Sequence, residues 1–242
     1  MNKNSNGYVL GFAVAVCVAV STGLAITANA LKATQEAAAE FDRQKNVMIA
    51  AGLCAADDPR PRAELEQLYA DRVTESVVDT ETGKVTTEKK PAEIKDLDEA
   101  GQRRFRVVAT TKDAAGKLEA VVLPISGRGL WSTLYGYLAL DADKNHVRGI
   151  TFYKHGETPG LGGEVENPQW QAQWRGKTIF DDSGKLVSVR VKKGQVDDEI
   201  PAEKKHAVDG LSGATITSNG VTRFVAADLA AFEDYLKNQK QN

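Results

Sequence analysis

The N-terminal segment constrains the fold of this chain more than any other part of its sequence. No charged residue occurs between Lys3 and Lys32, and the stretch YVLGFAVAVCVAVSTGLAITANAL is almost wholly apolar or small. About 20 helical residues, with a rise of about 1.5 Å each, cross a bilayer core of about 30 Å. The segment therefore predicts a transmembrane helix over residues 8–31, preceded by a short tail of residues 1–7.

The charges that flank this segment predict its orientation. Lys3 and the N-terminus lie on one side, and Glu36, Glu40 and Asp42 follow on the other, so the positive-inside bias favours a cytoplasmic N-terminus. The alternative is a cleaved secretory signal, because Ala28–Ala30 has the form of an A-x-A cleavage site. The apolar region of a signal spans only about 7–15 residues, which favours a retained anchor. Under both interpretations, the rest of the chain lies outside the cytoplasm.

Composition narrows the class of protein. The chain has 242 residues, of which 42% are hydrophobic and 26% charged, so it can bury a core of ordinary size. Its formal net charge of -2 provides no basic field that would attract a nucleic acid. We therefore expect no nucleic-acid partner.

The remainder of the chain predicts an α+β fold, in which helices flank a mainly antiparallel sheet. A helix is predicted over Ala33–Gly52, a short helix follows the prolines of DDPRPRAELEQLYADRV, and polar residues predict an exposed excursion over Thr74–Asp98. Strands are predicted at Phe105–Thr110, Leu118–Ile125, Tyr135–Asp141, His146–Lys154 and Leu186–Lys192. We therefore expect a juxtamembrane helix with the excursion at residues 32–98 and the sheet domain at residues 99–242.

The motif DGLSGATITSNG, residues Asp209–Gly220, directly precedes an amphipathic helix. Ser218 or Asn219 is the predicted N-cap of that helix. The apolar stripe of the helix consists of Val221, Phe224, Val225, Leu229, Phe232 and Leu236. Unpaired N–H groups and the helix dipole favour an anion at a helix N-terminus, so the motif suits phosphate binding. Helix capping alone also explains these small and hydroxyl residues.

Two further stretches are rich in glycine, SGRGLWSTLYG at Ser126–Gly136 and HGETPGLGGE at His155–Glu164. Glycine lets a backbone approach a flat ligand closely, Pro159 stiffens the turn, and Leu161 is suited to lie against a ring face. The alternative is that both are hairpin loops, with Trp131 packed in the core. Neither stretch matches the phosphate-binding pattern G-x-x-x-x-G-K-[ST] or the dinucleotide pattern G-x-G-x-x-G, so neither nucleotide-binding fold is predicted.

Together these motifs resemble a known family. The N-terminal span, followed in order by QKNVMIAAGL, GRGLWSTLYGYLAL, HGETPGLGG and DGLSGATITSNGV, is similar to the NqrC family of Na+-translocating NADH:quinone oxidoreductases over nearly the whole chain. The same FMN-binding domain occurs in the related RnfG subunit of the Rnf complex, which is an alternative. In this family a flavin transferase joins FMN from FAD, through a phosphoester, to the last threonine of an Asp-x-x-Ser/Thr-Gly-Ala-Thr motif.

The resemblance implies a set of cofactor-binding residues. The motif residues, matched without departure, are Asp209, Ser212, Gly213, Ala214 and Thr215. Thr215 is the implied attachment site for FMN, and Thr217 is the alternative. Asp209 is implied to help the transferase hold its metal or activate the hydroxyl. The implied neighbours of the isoalloxazine ring are Trp131, Ser132, Glu157, Thr158, Leu161 and Gly162.

The resemblance also implies a function, which is electron relay. As the FMN-carrying part of a redox-driven sodium pump, the chain would pass single electrons toward quinone. No catalytic residue beyond the flavin is expected, and the chain by itself should show little turnover. The implied partners are the other membrane and soluble subunits of the complex, membrane lipid, and the flavin transferase during maturation. The implied location is the bacterial inner membrane, with a cytoplasmic N-terminus and a periplasmic main domain.

Two points lie outside the resemblance. His146, His155 and His206 lack the spacing of metal ligands, so no metal site is predicted. A function of another class is also open: an exported tether or assembly module whose SGAT turn only caps a helix.

Overall fold

The computed structural model describes residues 6–238, which divide into two compact units, one ending at Asp42 and the other beginning at Arg43. Of the predicted N-terminal tail, residues 1–5, including Lys3, lie outside the described residues. Each unit is considered by itself.

A single long helix, α1, begins at Asn6 and ends at Ala50. Its most apolar 18-residue window has a mean hydropathy of 2.4, and none of that window is buried, so α1 is long and apolar enough to cross a membrane. The predicted juxtamembrane helix is the C-terminal part of α1. It ends as predicted at the AGL sequence, where Gly52 has a φ of +71° that favours glycine.

The second unit contains two sheets and several short helices. The strands are β1 (Val73–Asp79), β2 (Lys84–Thr86), β3 (Phe105–Lys112), β4 (Leu118–Arg128), β5 (Thr133–Asp141), β6 (Val147–Lys154), β7 (Arg190–Val191) and β8 (Ala207–Val208). The helices are α2 (Arg62–Arg72), α3 (Glu99–Arg104), α4 (Pro168–Ala172), α5 (Pro201–His206), α6 (Thr215–Ala231) and α7 (Glu233–Asn238). Short 3-10 helices occupy Pro91–Asp96 and Gly162–Glu166.

The main sheet is antiparallel throughout, with strand order β2-β1-β3-β4-β5-β6. Together with the flanking helices it confirms the predicted α+β fold. The four strands predicted from Phe105 to Lys154 are all present, with small differences at their ends. Strands β3 to β6 are consecutive in the chain and are joined by short connections, which contain the predicted turn sequences DAAGK and DADKN.

Helix α6 packs across β4 and covers the core side of the sheet. All six residues of the predicted apolar stripe are buried, and Val221, Val225 and Leu229 are fully enclosed. The predicted single helix is interrupted, because α6 ends at Ala231 and Leu236 lies in α7. Gly127 permits the close approach, because a Cβ at that position would lie 2.2 Å from Cβ of Phe224. The glycine at the end of β4 therefore sets how near the helix lies to the sheet.

Part of the predicted excursion Thr74–Asp98 lies inside the sheet. Strand β1 pairs with β3 along its whole length, from Val73 opposite Thr111 to Asp79 opposite Phe105. Val77 and Val78 are fully buried, although most of their neighbours are polar. The prediction of an exposed excursion was wrong for this segment, because cross-strand pairing and two buried valines outweigh its polar composition.

The prediction of a strand over Leu186–Lys192 was also wrong, because the observed strand is much shorter. Only Arg190–Val191 forms a strand, and it pairs in parallel with β8 in a separate two-stranded sheet. Ser188 has a φ of +62° and is buried, whereas Val187 is exposed. The left-handed residue interrupts the alternation of apolar side chains that the sequence suggested.

The start of α6 differs from the prediction as well. Ala214 occupies the N-cap position and Thr215 the first helical position, so neither Ser218 nor Asn219 is the N-cap. Ser218 is instead buried one turn into the helix, where its hydroxyl accepts a hydrogen bond from the Leu211 N–H at 3.3 Å. Helix α6 therefore begins at Thr215, earlier in the chain than the predicted N-cap residues Ser218 and Asn219.

Candidate functional site

Three segments that the sequence singled out meet beside the N-terminus of α6. The loop Gly129–Ser132 joins β4 to β5, where Arg128 pairs with Thr133. The loop that follows β6 carries the predicted residues from His155 to Gly163. The side chain of Glu157, on that second loop, contacts both the first loop and α6.

Glu157 is the central side chain of this arrangement and is only 5% exposed. Its Oε1 accepts hydrogen bonds from the backbone N–H of Trp131 at 2.9 Å and of Ser132 at 3.1 Å. Its Oε2 accepts hydrogen bonds from the Thr217 hydroxyl at 2.6 Å and from the Leu130 N–H at 3.2 Å. One carboxylate therefore fixes two loops and the first turn of a helix relative to one another.

The charge of Glu157 is maintained despite its burial. Burial by itself would raise the pKa of this carboxyl. The hydrogen bonds from the Thr217 hydroxyl and from the three backbone N–H groups outweigh burial and hold the pKa below its ordinary value. The group is consequently an anion at neutral pH.

Two glycines leave the space that this carboxylate fills. A Cβ at Gly129 would lie 2.7 Å from Oε1 of Glu157. A Cβ at Gly162 would lie 2.7 Å both from Oε2 of Glu157 and from the Thr217 hydroxyl oxygen. Any larger residue at either position would displace the carboxylate, so these glycines are required by its position.

Thr215 and Thr217, the two candidate attachment sites, differ sharply in environment. Thr215 is exposed at the first position of α6, whereas Thr217 is 1% exposed and donates its hydroxyl to Glu157. The N-cap Ala214 provides no side-chain cap, and the first N–H to bond within the helix is that of Ser218, to Ala214 O at 2.9 Å. The Thr215 hydroxyl therefore lies at a helix N-terminus whose leading N–H groups and dipole favour an anion.

The turn before Thr215 is shaped by Gly213, whose φ is +70°. A Cβ at Gly213 would lie 2.8 Å from Cδ2 of Leu161, so the turn contacts the glycine-rich loop directly. Ser212 beside it is exposed, whereas Ala214 is buried. Thr158 is exposed, and its carbonyl oxygen closes the glycine-rich loop by accepting hydrogen bonds from the N–H groups of Leu161 and Gly163.

Asp209 lies at the start of the motif but faces a different segment. Its Oδ1 accepts the Val196 N–H at 2.7 Å, its N–H donates to Oε1 of Gln173 at 2.9 Å, and its carbonyl accepts Nε1 of Trp170 at 2.8 Å. Gly210 extends the attachment, with its N–H donating to Gly194 O at 2.8 Å. Asp209 thus ties the motif to the loop that precedes α5.

Four large apolar side chains are exposed on the segments around Thr215. These residues, the apolar rim, are Leu130, Trp131, Leu161 and Ile216. Trp131 is 65% exposed, so the alternative in which it packs in the core was wrong; Trp170 and Trp174 fill the core instead. Sequence reasoning missed Leu130 and Ile216, because single exposed apolar residues are ordinary on protein surfaces and provide no signal in the sequence.

The three histidines do not meet. His155 Nδ1 accepts the Glu157 N–H at 3.2 Å, and its Nε2 lies 3.0 Å from Oε1 of Glu166. His206 Nδ1 lies 2.7 Å from Thr178 O, and His146 pairs with Asp143. Within residues 6–238 no group of three or more His, Cys, Asp or Glu side chains is arranged to hold a metal ion.

Comparison with known proteins defines the class to which this site belongs. Residues 129–230 match the family model described as the FMN-binding domain. The matched range contains both loops, Glu157, the motif and nearly all of α6. The arrangement around Thr215 is therefore part of an FMN-binding domain.

Relatives that match almost the whole chain define the family more narrowly. The NqrC protein of the Na(+)-translocating NADH-quinone reductase of Yersinia pestis is 41% identical over 239 residues, covering 91% of this chain and 87% of that protein. Its counterpart in Pseudomonas aeruginosa is 37% identical, covering 99% and 98%. The chain belongs to the NqrC family of the Na+-translocating NADH-quinone reductase.

Solved structures agree with this assignment. The NqrC protein of Parabacteroides distasonis superposes with a TM-score of 0.71 at 28% identity, covering 86% of this chain and 97% of that one. The NqrC protein of Shewanella oneidensis gives a TM-score of 0.69 at 32% identity, covering 83% and 99%. The predicted family resemblance is thereby confirmed.

Proposed function

We propose that this chain is the electron-relay component of a Na+-translocating NADH:quinone reductase and carries FMN covalently on Thr215. The observation that carries the proposal is the contrast between the two threonines. The Thr215 hydroxyl is exposed at an uncapped helix N-terminus within a complete attachment motif, whereas the Thr217 hydroxyl is buried and bonded to Glu157. A transferase can reach only the first of them without disturbing the fold.

The residues around Thr215 fit FMN. The leading N–H groups of α6 suit the phosphate, and the apolar rim offers a surface to a flat ring. Gly160, with a φ of +74°, has open space around it, so the glycine-rich loop can lie close to a ligand. Trp131, Ser132, Thr158, Leu161 and Gly162 are the proposed neighbours of the ring system.

Attachment requires a separate enzyme in this proposal. A threonine hydroxyl is a weak nucleophile at neutral pH and needs an external base or metal to attack a phosphoryl centre. The transferase would form the bond between Oγ1 of Thr215 and the phosphorus of the FMN moiety of FAD, with AMP as the leaving group and the hydroxyl proton lost. Asp209 would support this step by holding the motif against the Val196 loop, and a direct role at the metal of the transferase stays a proposal.

Bound FMN supplies one-electron transfer, which no amino-acid side chain of this site provides. The chain itself would hold the ring on the apolar rim, fix the phosphate at α6 and restrict the access of water. Oxidation of NADH would occur in another subunit of the complex, so the chain alone would show little turnover.

Membership of the family supports the proposed setting. Helix α1 would anchor the chain in lipid of the bacterial inner membrane as a single pass, with its N-terminus in the cytoplasm. Residues 99–242 would lie in the periplasm, together with β1 and β2, which belong to the same sheet. The other subunits of the complex are the proposed partners, and the flavin transferase is a transient one. High-coverage matches to NqrC relatives favour the sodium pump over an RnfG-like role with a different electron donor.

The proposal is tested in a host that supplies the transferase. We expect the wild-type chain to show flavin fluorescence on a denaturing gel, Thr215→Val to lose it, and Thr217→Val to keep it. Both substitutions replace a threonine by valine and so remove one hydroxyl group each, which makes each variant a control for the other. An unlabelled wild-type chain in a host that labels a control protein would favour the exported tether instead.

A further inference from the structure

Both carboxylate oxygens of Glu157 accept hydrogen bonds from other groups of the protein. Three consecutive backbone N–H groups, those of Leu130, Trp131 and Ser132, converge on it. Consecutive N–H groups of this kind form an anion-binding loop, and here the anion belongs to the chain itself. The hydroxyl of Thr217, at the third position of α6, is the remaining donor.

This geometry leaves Glu157 little freedom to contact a ligand. The side chain is 5% exposed, and Gly129 and Gly162 enclose its oxygens so closely that an added Cβ at either would lie 2.7 Å away. A ligand group that bonded to the carboxylate would have to replace one of the internal donors. Such a replacement would leave a buried N–H or hydroxyl unpaired, so the internal bonds are favoured over a ligand contact.

The position of the carboxylate also has an electrostatic consequence. It bonds to Thr217, two residues after Thr215, so its charge lies near the first turn of α6. A carboxylate there is favourable for the helix, because the dipole is positive at that end. The same buried charge acts on any group that gains electrons nearby, since a fixed anion in a poorly solvated site opposes further negative charge.

We propose that Glu157 is a positioning residue rather than a ring contact. It fixes the position of the Leu130–Ser132 loop relative to the first turn of α6. Trp131 and Leu161 are thereby aligned for the flavin. Its fixed charge lowers the reduction potential of that flavin. The part of this inference that concerns the flavin rests on the proposed function. The arrangement of the two loops and the helix stands on the hydrogen bonds alone.

The test compares Glu157→Gln with Glu164→Gln, which removes one carboxylate charge from the adjoining 3-10 helix Gly162–Glu166. Glu164 is half-buried and accepts a hydrogen bond from Nδ2 of Asn167 at 2.9 Å. Hydrogen exchange is measured first, on the full chain from a host without the transferase. We expect the amides of Leu130–Ser132 to exchange about tenfold faster in Glu157→Gln, because a bond to a charged acceptor is lost, and at the wild-type rate in Glu164→Gln.

The second measurement is the flavin midpoint potential of the same variants after modification. A more positive potential in Glu157→Gln than in wild type and Glu164→Gln supports the proposal. Wild-type exchange rates at the three amides, or a potential that matches Glu164→Gln, overturns it. If the chain acquires no flavin at all, the proposed function fails while the exchange data still decide whether Glu157 holds the loops.

Gly162→Ala provides a second variant if Glu157→Gln does not fold. The added Cβ would displace the carboxylate without removing its charge. Faster exchange at Leu130–Ser132 is the expected result, and wild-type rates in a folded Gly162→Ala chain would overturn the proposed positioning role.

Discussion

At the scale of single residues, the proposed attachment site rests on a local sequence motif, whereas the contacts that support it do not. The motif Asp209–Thr215 can be read from the sequence alone and leads to the proposal of Thr215. Glu157 was expected to lie near the ring, but its partners are 25–27 residues earlier and 60 residues later in the chain. No periodicity or spacing rule connects positions so far apart, so this role emerges only from the fold.

The same residue predicts a dependence of stability on pH. The pKa of Glu157 is below its ordinary value in the folded chain, so its contribution is present above the unfolded value and is lost as the pH falls through the folded value. We expect wild type to lose more free energy of unfolding than Glu157→Gln between about pH 5 and about pH 3. Urea titrations at several pH values measure it, and parallel profiles for the two chains would contradict the assignment.

At the scale of elements, apolar segments bounded by turn sequences predicted strands β3–β6. The prediction of strands failed for β1, whose sequence VTESVVD contains only three apolar residues among polar ones. It also failed around Ser188, where a left-handed backbone breaks the pattern. Both failures arise from tertiary pairing and backbone geometry, which override local preference.

The attachment of α6 to the sheet gives a prediction at this scale. Asp228 on α6 accepts Nη1 of Arg106 at 2.7 Å and the Ser126 N–H at 2.8 Å, and both charged side chains are 14% exposed. Removal of one partner leaves a poorly solvated charge, so Asp228→Ala should lower the free energy of unfolding by about 3 kcal/mol. Denaturant unfolding measures the loss.

The control is Glu233→Ala, which breaks the more exposed pair with Lys237. That change should cost less than about 1 kcal/mol. Equal effects of the two substitutions would show that the Arg106 pair does not hold α6 on the sheet.

At the scale of the whole molecule, the sequence predicted the apolar N-terminal helix and the α+β domain because both depend on long, regular patterns. Helix α1 is long and apolar enough to cross a membrane, and we propose that it is a retained anchor. We therefore expect the mass of the purified protein to include residues 1–30. A mature chain that begins at Leu31, after the Ala28–Ala30 sequence, would show instead that the segment is a cleaved signal.

Peptide mass mapping of the wild-type chain determines whether Thr215 carries FMN. The chain is purified from a host with the transferase, denatured and digested, and the peptide that spans Asp209–Gly220 is fragmented. We expect an added mass of FMN less one water, located on Thr215, with Thr217 unmodified. An unmodified peptide from a host that flavinylates a control protein, or a label located on the buried Thr217, would contradict it.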